Sequence, residues 1–353
     1  MKKIVRITAV LLSFLMLASF TDVASDHWSY PYVSNAEKVG LMIGDGDGNF
    51  RPKDLTTKEE VATIIYRILN YGTANMVPKE REYTDEEKAL LERCQISDWA
   101  WPYLLDGFAS GFWTEADFSK RTDTVTAGKQ PLDREKLAQW LVNAEGIKTS
   151  PLIVLEYADV NSADPALMTY IDACRRSGLM IGDDVNAFNP KNGVNRAEVA
   201  VILTRALKYT EDGSAASAKV VLYGTIGEAG SGNTSFYMTV SGAKKPVFID
   251  PSAGIIIDGS VKTLADLLKL KGKTVNVSAV IGGNVVVVQT KPVAVIGEVT
   301  GVKDCGTYKL VSIKTGDITA EYIYDQNTYC TVDLQKGISI KFISDGTDLL
   351  EIN

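Results

Sequence analysis

The spacing of apolar residues divides the chain into two regions. Within residues 61–68 the apolar positions recur three and four residues apart, which is typical of one face of a helix. Beyond residue 219 the apolar runs are short, rich in β-branched and aromatic residues, and separated by Gly and Asn, as in Phe236–Val240 and Val285–Val288. The pattern predicts a helical N-terminal region followed by a β-rich C-terminal region.

An internal repeat organises the helical region. The sequence of Gly40–Asp45 recurs unchanged at Gly178–Asp183, and the Phe-x-Pro-Lys of residues 50–53 recurs at the same offset. A weaker middle copy is visible around residues 99–112. Each copy predicts a helix, a long loop and a second helix. Because a helix pair of this size cannot bury its apolar faces alone, we expect the three copies to pack into one domain.

The second helix of each copy carries start signals. Thr57 is followed three residues later by Glu60, and Asn195 is followed by a Glu at the same spacing, so both starts predict a capping box. Asp133 is the expected cap in the middle copy, where Lys136 replaces the glutamate. The charged insertion between the first and middle copies predicts an additional short surface helix.

A basic residue follows each cap, namely Lys58, Arg134 and Arg196. A cation beside the exposed N–H groups of a helix N-terminus makes an anion site, because the side chain and the helix dipole act together. A carboxylate is the natural ligand, which Arg meets with two parallel hydrogen bonds and Lys meets as a point charge. The alternative is that all three are surface cations that pair with Asp or Glu across a junction between copies.

The N-terminus has the order of a secretory signal. Three basic residues precede the apolar run Ile7–Leu17 and the small residues Ala18 and Ser19. We expect a signal peptide over residues 1–19, with cleavage after Ser19 or after Ser25. Because no other apolar run approaches the ~20 residues that a membrane helix needs, we expect an exported protein with no transmembrane segment after cleavage.

Charge and composition exclude several classes of function. The chain has 37 Lys and Arg against 44 Asp and Glu, a net charge of −7, and no dense basic stretch, which argues against nucleic acid as a partner. Its single histidine, His27, excludes mechanisms that need two. No catalytic constellation is evident, and the loop Asp45–Asn49 lacks the spacing of an EF-hand. We therefore expect no enzyme activity, no cofactor and no metal site.

The four cysteines, Cys94, Cys174, Cys305 and Cys330, match no metal-binding spacing. Cys305 and Cys330 lie in one C-terminal segment, where they either form a disulfide in an oxidising compartment or remain free thiols. The sequence leaves both alternatives open.

Three helix-loop-helix units of this kind resemble tandem S-layer homology domains. The resemblance rests on Phe20–Val23 with Trp28, on Tyr157–Val160 in the third copy, and on the Asn-Arg-Ala-Glu sequence of residues 195–198. It covers roughly residues 20–208. The chain departs from the family pattern in all three copies. The first copy has Lys58 instead of Arg at the start of its second helix, the middle copy lacks a clear Gly-Asp loop and the capping Glu, and the third has Ala166 where Trp is expected.

The resemblance implies binding of a secondary cell-wall polysaccharide attached to peptidoglycan, an anionic polymer that often carries pyruvate ketals. The implied binding residues belong to the tryptophans, the Gly-Asp loops and the second-helix cations. They are Trp28, Gly44, Asp45, Lys58, Trp99, Arg134, Gly182, Asp183 and Arg196. The tryptophans would either stack on sugar rings or pack in the core, and the glycines would let the backbone approach the saccharide.

The expected architecture is a multidomain α+β protein. An all-α, pseudo-threefold bundle of three repeats precedes an all-β region that is barrel- or sandwich-like and internally duplicated, since Gly272–Val277 parallels Gly337–Phe342. The expected segments are the signal peptide, repeats at about 20–70, 83–146 and 157–208 within domain 20–208, a linker at 209–219, and a β region at 220–353 with halves 220–291 and 292–353.

From this organisation we expect a secreted, non-enzymatic protein of a bacterial cell wall or S-layer. The repeats would anchor it non-covalently and the β region would be displayed, with surface-layer proteins as further candidate partners. The alternative is that the β region carries the function, as a carbohydrate- or protein-binding module or a wall hydrolase, and that the repeats are only a tether.

Overall fold

The structure is a computed structural model that describes residues 20–118, 125–209, 218–230, 232 and 234–353. The expected signal peptide at 1–19 and residues 210–217 of the expected linker lie outside the described residues. The described residues fall into two units. The first comprises those of Met1–Ile147, Cys174–Ile181 and Asn189–Glu211, and the second comprises those of Lys148–Ala173, Gly182–Phe188 and Asp212–Asn353.

The helices predicted from the apolar spacing are present in the N-terminal half. They are α1 (Tyr30–Lys38), α2 (Lys58–Leu69), α3 (Asp85–Arg93), α4 (Trp101–Ser110), α5 (Arg134–Glu145), α6 (Met168–Arg176) and α7 (Arg196–Lys208). Helix α3 occupies the charged insertion, as predicted, and begins at a capping box between Thr84 and Glu87. A short helix, α8 (Leu264–Leu268), interrupts the strands that follow.

Both predicted capping boxes are confirmed, at the starts of α2 and α7. The side chain of Thr57 accepts a hydrogen bond from the Glu60 N–H at 3.3 Å, and the Glu60 carboxylate accepts one from the Thr57 N–H at 2.8 Å. Asn195 and Glu198 exchange the same two bonds at the start of α7. Each box contributes about 1 kcal/mol. The prediction for Asp133 was wrong, since its side chain makes no capping hydrogen bond to α5.

A cyclic set of backbone hydrogen bonds joins the segments that precede the three second helices. The Thr56 N–H donates to the Val194 carbonyl at 2.8 Å, and the Val194 N–H donates to the Leu132 carbonyl at 3.1 Å. The Leu132 N–H in turn donates to the Thr56 carbonyl at 3.1 Å. Since each of these residues lies two positions before its helix, this hydrogen-bonded ring fixes where α2, α5 and α7 begin relative to one another.

The core of the first unit is built around aromatic side chains. Trp140 on α5 is fully buried, with the Trp113 ring centroid 5.0 Å and the Phe118 centroid 5.6 Å from its own. The Trp113 indole lies directly against Gly107 of α4 and donates to the Leu104 carbonyl at 3.1 Å. A side chain at position 107 would therefore occupy the space that Trp113 needs.

The second unit contains the β-rich region predicted from the sequence. Its strands are β1 (Leu152–Ile153), β2 (Lys219–Ala229), β3 (Ser235–Val240), β4 (Ala243–Ile249), β5 (Gly254–Ile257), β6 (Ser260–Lys262), β7 (Thr274–Val280), β8 (Val285–Gln289), β9 (Val293–Asp304), β10 (Lys309–Thr315), β11 (Ile318–Tyr324), β12 (Tyr329–Cys330), β13 (Ser339–Asp345) and β14 (Asp348–Ile352). One eight-stranded sheet has the order β1-β4-β3-β2-β7-β8-β5-β6, and one six-stranded sheet has the order β11-β10-β9-β13-β14-β12.

The six-stranded sheet closes into a five-stranded barrel, because β11 also pairs with β14 in parallel at Ile323 and Asp348. The eight-stranded sheet repeats the same order of pairings. Its long strand β2 pairs with β3 and β7, as β9 pairs with β10 and β13, and its β5 pairs in parallel with β8. The two sheets therefore share one topology.

The two sheets pack directly on each other within the second unit. Ile256, Val285 and Val287 of the first sheet belong to the same apolar cluster as Val311 and Phe342 of the barrel. A buried polar contact accompanies it, since the amide of Gln289 donates to the Ser344 hydroxyl at 2.9 Å. The two sheets are therefore held together by apolar burial and by a specific hydrogen bond.

All four cysteines lie among the described residues and are free thiols. Cys94 and Cys174 are buried, and desolvation raises the pKa of both, that of Cys94 to about 11. Cys305 and Cys330 are only partly buried. Of the two alternatives for Cys305 and Cys330, the structure has the free thiols and not the disulfide.

Replacing Gly107 by Ala should destabilise the first unit by about 1–3 kcal/mol, although Ala is normally the better helix residue, because the added methyl group overlaps Trp113. All five tryptophans, Trp28, Trp99, Trp101, Trp113 and Trp140, lie in this unit, so denaturant unfolding followed by their fluorescence reports on it alone. The exposed Ala109→Gly on the same helix is the matched control and should lose no more than about 1 kcal/mol. Stabilisation by Gly107→Ala would contradict this packing.

The native protein should react with a thiol reagent at Cys305 and Cys330 only. At pH 8 burial keeps Cys94 and Cys174 protonated and covered, so these two should react only after unfolding. Time-resolved labelling followed by mass mapping of the labelled peptides distinguishes the two pairs. Fast native labelling of either buried thiol would contradict the burial described above.

Candidate functional site

Two of the three second-helix cations reach into the neighbouring copy. The ammonium group of Lys58, on the first copy, lies 3.5 Å from the Gln130 side-chain oxygen and 6.0 Å from the centre of the Phe118 ring, both in the middle segment. Arg134 of the middle segment pairs with Glu198 of the third at 3.0 Å. Both cations are more than nine-tenths buried, so neither is a surface cation, although Arg134 does make the cross-junction pair considered above.

The third cation, Arg196, reaches from the third copy to the first. Its Nε and Nη2 groups each donate at 2.7 Å, to the carbonyl oxygens of Phe50 and Ile43 respectively. The guanidinium carbon lies 4.7 Å from the centre of the Phe50 ring. These contacts hold both ends of the Gly-Asp loop of the first copy at the start of α7.

Arg196 differs from the other two cations in its partners. A guanidinium group has five N–H donors, and the two bonds to carbonyl oxygens leave three without an acceptor among the described residues. The residue is 8% exposed and forms no ion pair within the described part of the chain. Burial lowers the pKa of the guanidinium, and the carboxylates of Glu60 and Asp54 oppose this from longer range.

The first N–H groups of the three second helices are already engaged. Lys58, Arg134 and Arg196 each donate a backbone hydrogen bond to a neighbouring copy. The acceptors are the carbonyl oxygens of Gln130 at 2.9 Å, Asn192 at 2.9 Å and Asp54 at 3.0 Å. The expected anion site therefore does not have free helix N–H groups at these positions, and an anion there would meet side-chain donors.

The Gly-Asp loop of the first copy is shaped by its own hydrogen bonds. The Asp45 carboxylate accepts from the N–H groups of Asp47 at 2.9 Å and Asn49 at 3.2 Å, and these bonds lower its pKa. At Gly44 a Cβ would lie 2.5 Å from the Phe20 ring, so only glycine fits against that ring. The loop therefore depends on the Phe20 segment at the start of the copy.

The equivalent loop of the third copy, in the second unit, is built in the same way. The Asp183 carboxylate accepts from the Ala187 N–H at 2.8 Å, and a Cβ at Gly182 would lie 2.6 Å from the Tyr157 ring. The Phe188 N–H donates to the Asp159 carboxylate at 2.9 Å, as the Phe50 N–H does to Asp22 in the first copy. Gly182 and Asp183 therefore shape the backbone of this loop.

The two tryptophans proposed to stack on sugars are exposed. Trp28 is 57% and Trp99 is 51% exposed, which excludes the core-packing alternative for both. Trp28 precedes α1 and its ring lies 5.5 Å from His27, while Trp99 lies in a short 3-10 turn before α4. Both ring systems are accessible to a ligand.

The structure brings Arg196 together with the Gly44–Asp45 loop, which the sequence had placed in different copies. It also shows two roles that the sequence reasoning missed, those of Phe50 and Phe118 as ring contacts for Arg196 and Lys58. Phe50 could have been found from its exact recurrence in the repeat. Phe118 had no such signal, because the middle loop has diverged from the other two.

Comparison with known proteins identifies two of these segments. The family model for the S-layer homology domain matches residues 19–62 and 156–200. The Outer membrane protein alpha of Thermotoga maritima is 38% identical over 79 residues, which is 22% of this chain and 20% of that protein. An S-layer protein of Bacillus thuringiensis subsp. finitimus is 24% identical over 207 residues, 58% of this chain and 23% of that protein.

Enzymes also occur among the relatives. An endoglucanase of a Bacillus species is 22% identical over 192 residues, which is 53% of this chain and 18% of that enzyme. The chain thus spans between 18% and 23% of the length of these three relatives. Within the described residues, no helix is both long and apolar enough to cross a membrane. The matches indicate a protein of the cell surface, and two segments of the chain, residues 19–62 and 156–200, match the S-layer homology domain.

Proposed function

We propose that this chain anchors an exported protein non-covalently to the bacterial cell wall by binding an anionic, pyruvate-bearing secondary cell-wall polysaccharide. Residues 20–208 would form the anchor and residues 220–353 the displayed region. The observation that carries the proposal is the buried guanidinium of Arg196, which has three N–H donors without an acceptor at the junction between two copies.

A buried cation without a carboxylate partner favours an anionic ligand. Removing the charge from water is costly unless hydrogen bonds and an opposite charge replace the hydration. The two carbonyl oxygens and the Phe50 ring replace only part of it at Arg196. The carboxylate of a pyruvate ketal would supply the missing charge and could accept two parallel hydrogen bonds from the planar guanidinium.

The other two junctions are weaker candidates for the same chemistry. Arg134 already pairs with the carboxylate of Glu198, so a ligand would have to compete with that ion pair. Lys58 offers a point charge and lies against Gln130 and the Phe118 ring. We propose that Arg196 marks the principal anion site, and that Lys58 and Arg134 contribute less.

The sugar rings would be held by the exposed aromatic residues and by the Gly-Asp loops. Trp28 and Trp99 present accessible indole faces of the kind that pack on the apolar face of a pyranose. Gly44 and Gly182 keep the loop backbone close to the Phe20 and Tyr157 rings, and Asp45 and Asp183 rigidify the loops from within.

We also propose that residues 83–146 are a divergent third copy and that the three copies form a pseudo-threefold bundle. The hydrogen-bonded ring through Thr56, Leu132 and Val194 supports this proposal, because each copy donates to one neighbour and accepts from the other. The cations are also arranged cyclically, in the direction opposite to the N–H donation of the ring, with Lys58 toward the middle segment, Arg134 toward the third and Arg196 toward the first.

Replacing Arg196 by Gln should lower retention on native cell walls at least about tenfold, because the charge-assisted bonds to the polymer are lost. The measurement is co-sedimentation of the full chain with native walls and with walls stripped of secondary polymer. Arg196→Lys keeps the charge but loses the planar donor set. Its retention on native walls should lie between that of the unmodified chain and that of Arg196→Gln.

Arg205→Gln on the same helix is the matched control. Arg205 donates to the Leu179 carbonyl, at a position away from the junction. Arg205→Gln therefore removes the same charge as Arg196→Gln, together with one hydrogen bond to a carbonyl oxygen. Its retention should equal that of the unmodified chain. Tryptophan fluorescence of each variant before sedimentation verifies that the first unit is folded. Equal retention of a folded Arg196→Gln on native walls would show that Arg196 is not the anion site.

Trp28→Ala and Trp99→Ala should each weaken wall retention without changing the stability of the first unit, since both rings are exposed. Loss of one stacked ring should cost about 1–2 kcal/mol of binding free energy. Tyr329→Ala, at an exposed aromatic position of the β region, is the control and should bind as before. If neither tryptophan affects retention, the stacking role assigned to them is wrong.

A further inference from the structure

A groove between α2 and α4 encloses a cavity of about 230 Å³ in the first unit. It lies at the far end of α2 from Lys58, since its lining begins at Tyr66 and α2 runs from Lys58 to Leu69. Four aromatic rings contribute to the lining, with three polar side chains among them. The aromatic residues are Tyr66, Tyr103, Phe112 and Trp113, and the polar ones are Asn70, Asp106 and Ser110.

The aromatic walls of this α2–α4 groove are held in place by their own packing. The rings of Tyr66 and Tyr103 meet edge to face with centroids 5.4 Å apart. Trp113 is fixed by its hydrogen bond to the Leu104 carbonyl and by its contact with Gly107. The groove therefore exists before any ligand binds, which limits the entropy lost on binding.

The polar groups of the groove are rich in hydrogen-bond acceptors. The Asp106 carboxylate is exposed and has no ion pair or hydrogen bond among the described residues. The side-chain N–H of Asn70 donates to the Tyr66 carbonyl at 3.0 Å. The side-chain oxygen of Asn70 can therefore accept a hydrogen bond from another donor. Together with burial, the Asp106 carboxylate raises the pKa of the Tyr66 phenol, in keeping with a negative charge close to that ring.

The cations near the groove already have partners. Arg67 donates to the Leu41 carbonyl at 3.2 Å, with its guanidinium 5.6 Å from the centre of the Tyr103 ring. Arg81 pairs with Glu87 at 2.7 Å. Neither cation forms an ion pair with Asp106, whose carboxylate only helps to raise the pKa of Arg81 from longer range, so this carboxylate is available to a ligand.

We propose that the α2–α4 groove binds an ammonium group presented by a small wall component, with Asp106 as its counter-ion and the tyrosine rings as its walls. A cation is attracted both to an unpaired carboxylate and to the faces of aromatic rings, and its N–H groups can donate to the phenol and amide oxygens. The free amine of a hexosamine and the amine of an alanyl ester share this chemistry. The site is separate from Arg196, and only the choice of a wall component as the source of the amine rests on the proposed function.

The test is a titration of the full chain, by ligand-observed NMR at constant ionic strength, with glucosamine and with D-alanine methyl ester. N-acetylglucosamine keeps the sugar ring but has no positive charge. At least one amine should bind, at least fivefold more tightly than N-acetylglucosamine, and the tighter of the two identifies the source of the ammonium group. Asp106→Asn should weaken amine binding about fivefold or more.

Asp98→Asn, at an exposed acidic position of the same unit, is the matched control and should bind like the unmodified chain. No binding of either amine, or equal binding of the neutral sugar, would overturn the proposal, as would unchanged amine binding by Asp106→Asn. Arg196→Gln should lose wall retention while keeping amine binding. The two proposals therefore fail separately, one in the sedimentation assay and the other in the titration.

Discussion

The arrangement of the first unit depends on the ring of hydrogen bonds through Thr56, Leu132 and Val194. Buried backbone groups require partners, and in this ring each of the three segments satisfies the backbone groups of its neighbour instead of its own. A single copy would leave a donor and an acceptor unpaired. Because the second helices begin two residues later, the same ring also places the first residue of each second helix, which is a cation in all three, at a junction. The position of the candidate site is thus a consequence of how the copies are joined.

The three junctions use this common position in different ways. Lys58 faces an amide and a ring, Arg134 faces a carboxylate, and Arg196 faces two carbonyl oxygens. The backbone geometry is shared, so the differences come from side chains that have diverged around it. Neutralising a cation by an internal carboxylate, as Glu198 does for Arg134, makes a junction self-sufficient. Arg196 has no such internal carboxylate, which is why we propose its junction as the principal site for an external anion.

Sequence patterns predicted what is encoded locally. The boxes at Thr57 and Asn195 were predictable because cap and glutamate are three residues apart. At Asp133 no box forms, and Lys136, which stands where the other two helices have the glutamate, pairs with Asp117 at 2.7 Å, a contact that the local pattern does not contain. The partners of Arg196 lie 146 and 153 residues away, and the parallel closure of β11 on β14 likewise joins strands that are not neighbours in sequence. Such long-range contacts leave no periodic signal in one chain.

The short strand β1 shows that the β-rich sheet is built from segments that are not continuous in the sequence. Leu152 and Ile153 precede the third copy in sequence, yet they pair with Ile249 and Phe248 on β4. The neighbouring Pro151 carbonyl accepts a hydrogen bond from the Asp250 N–H at 2.9 Å. A β region cut from the chain at its first long strand would therefore present β4 as an unprotected edge, which is a template for aggregation. Moving this region intact into another protein would therefore require two separated pieces of sequence to be moved together.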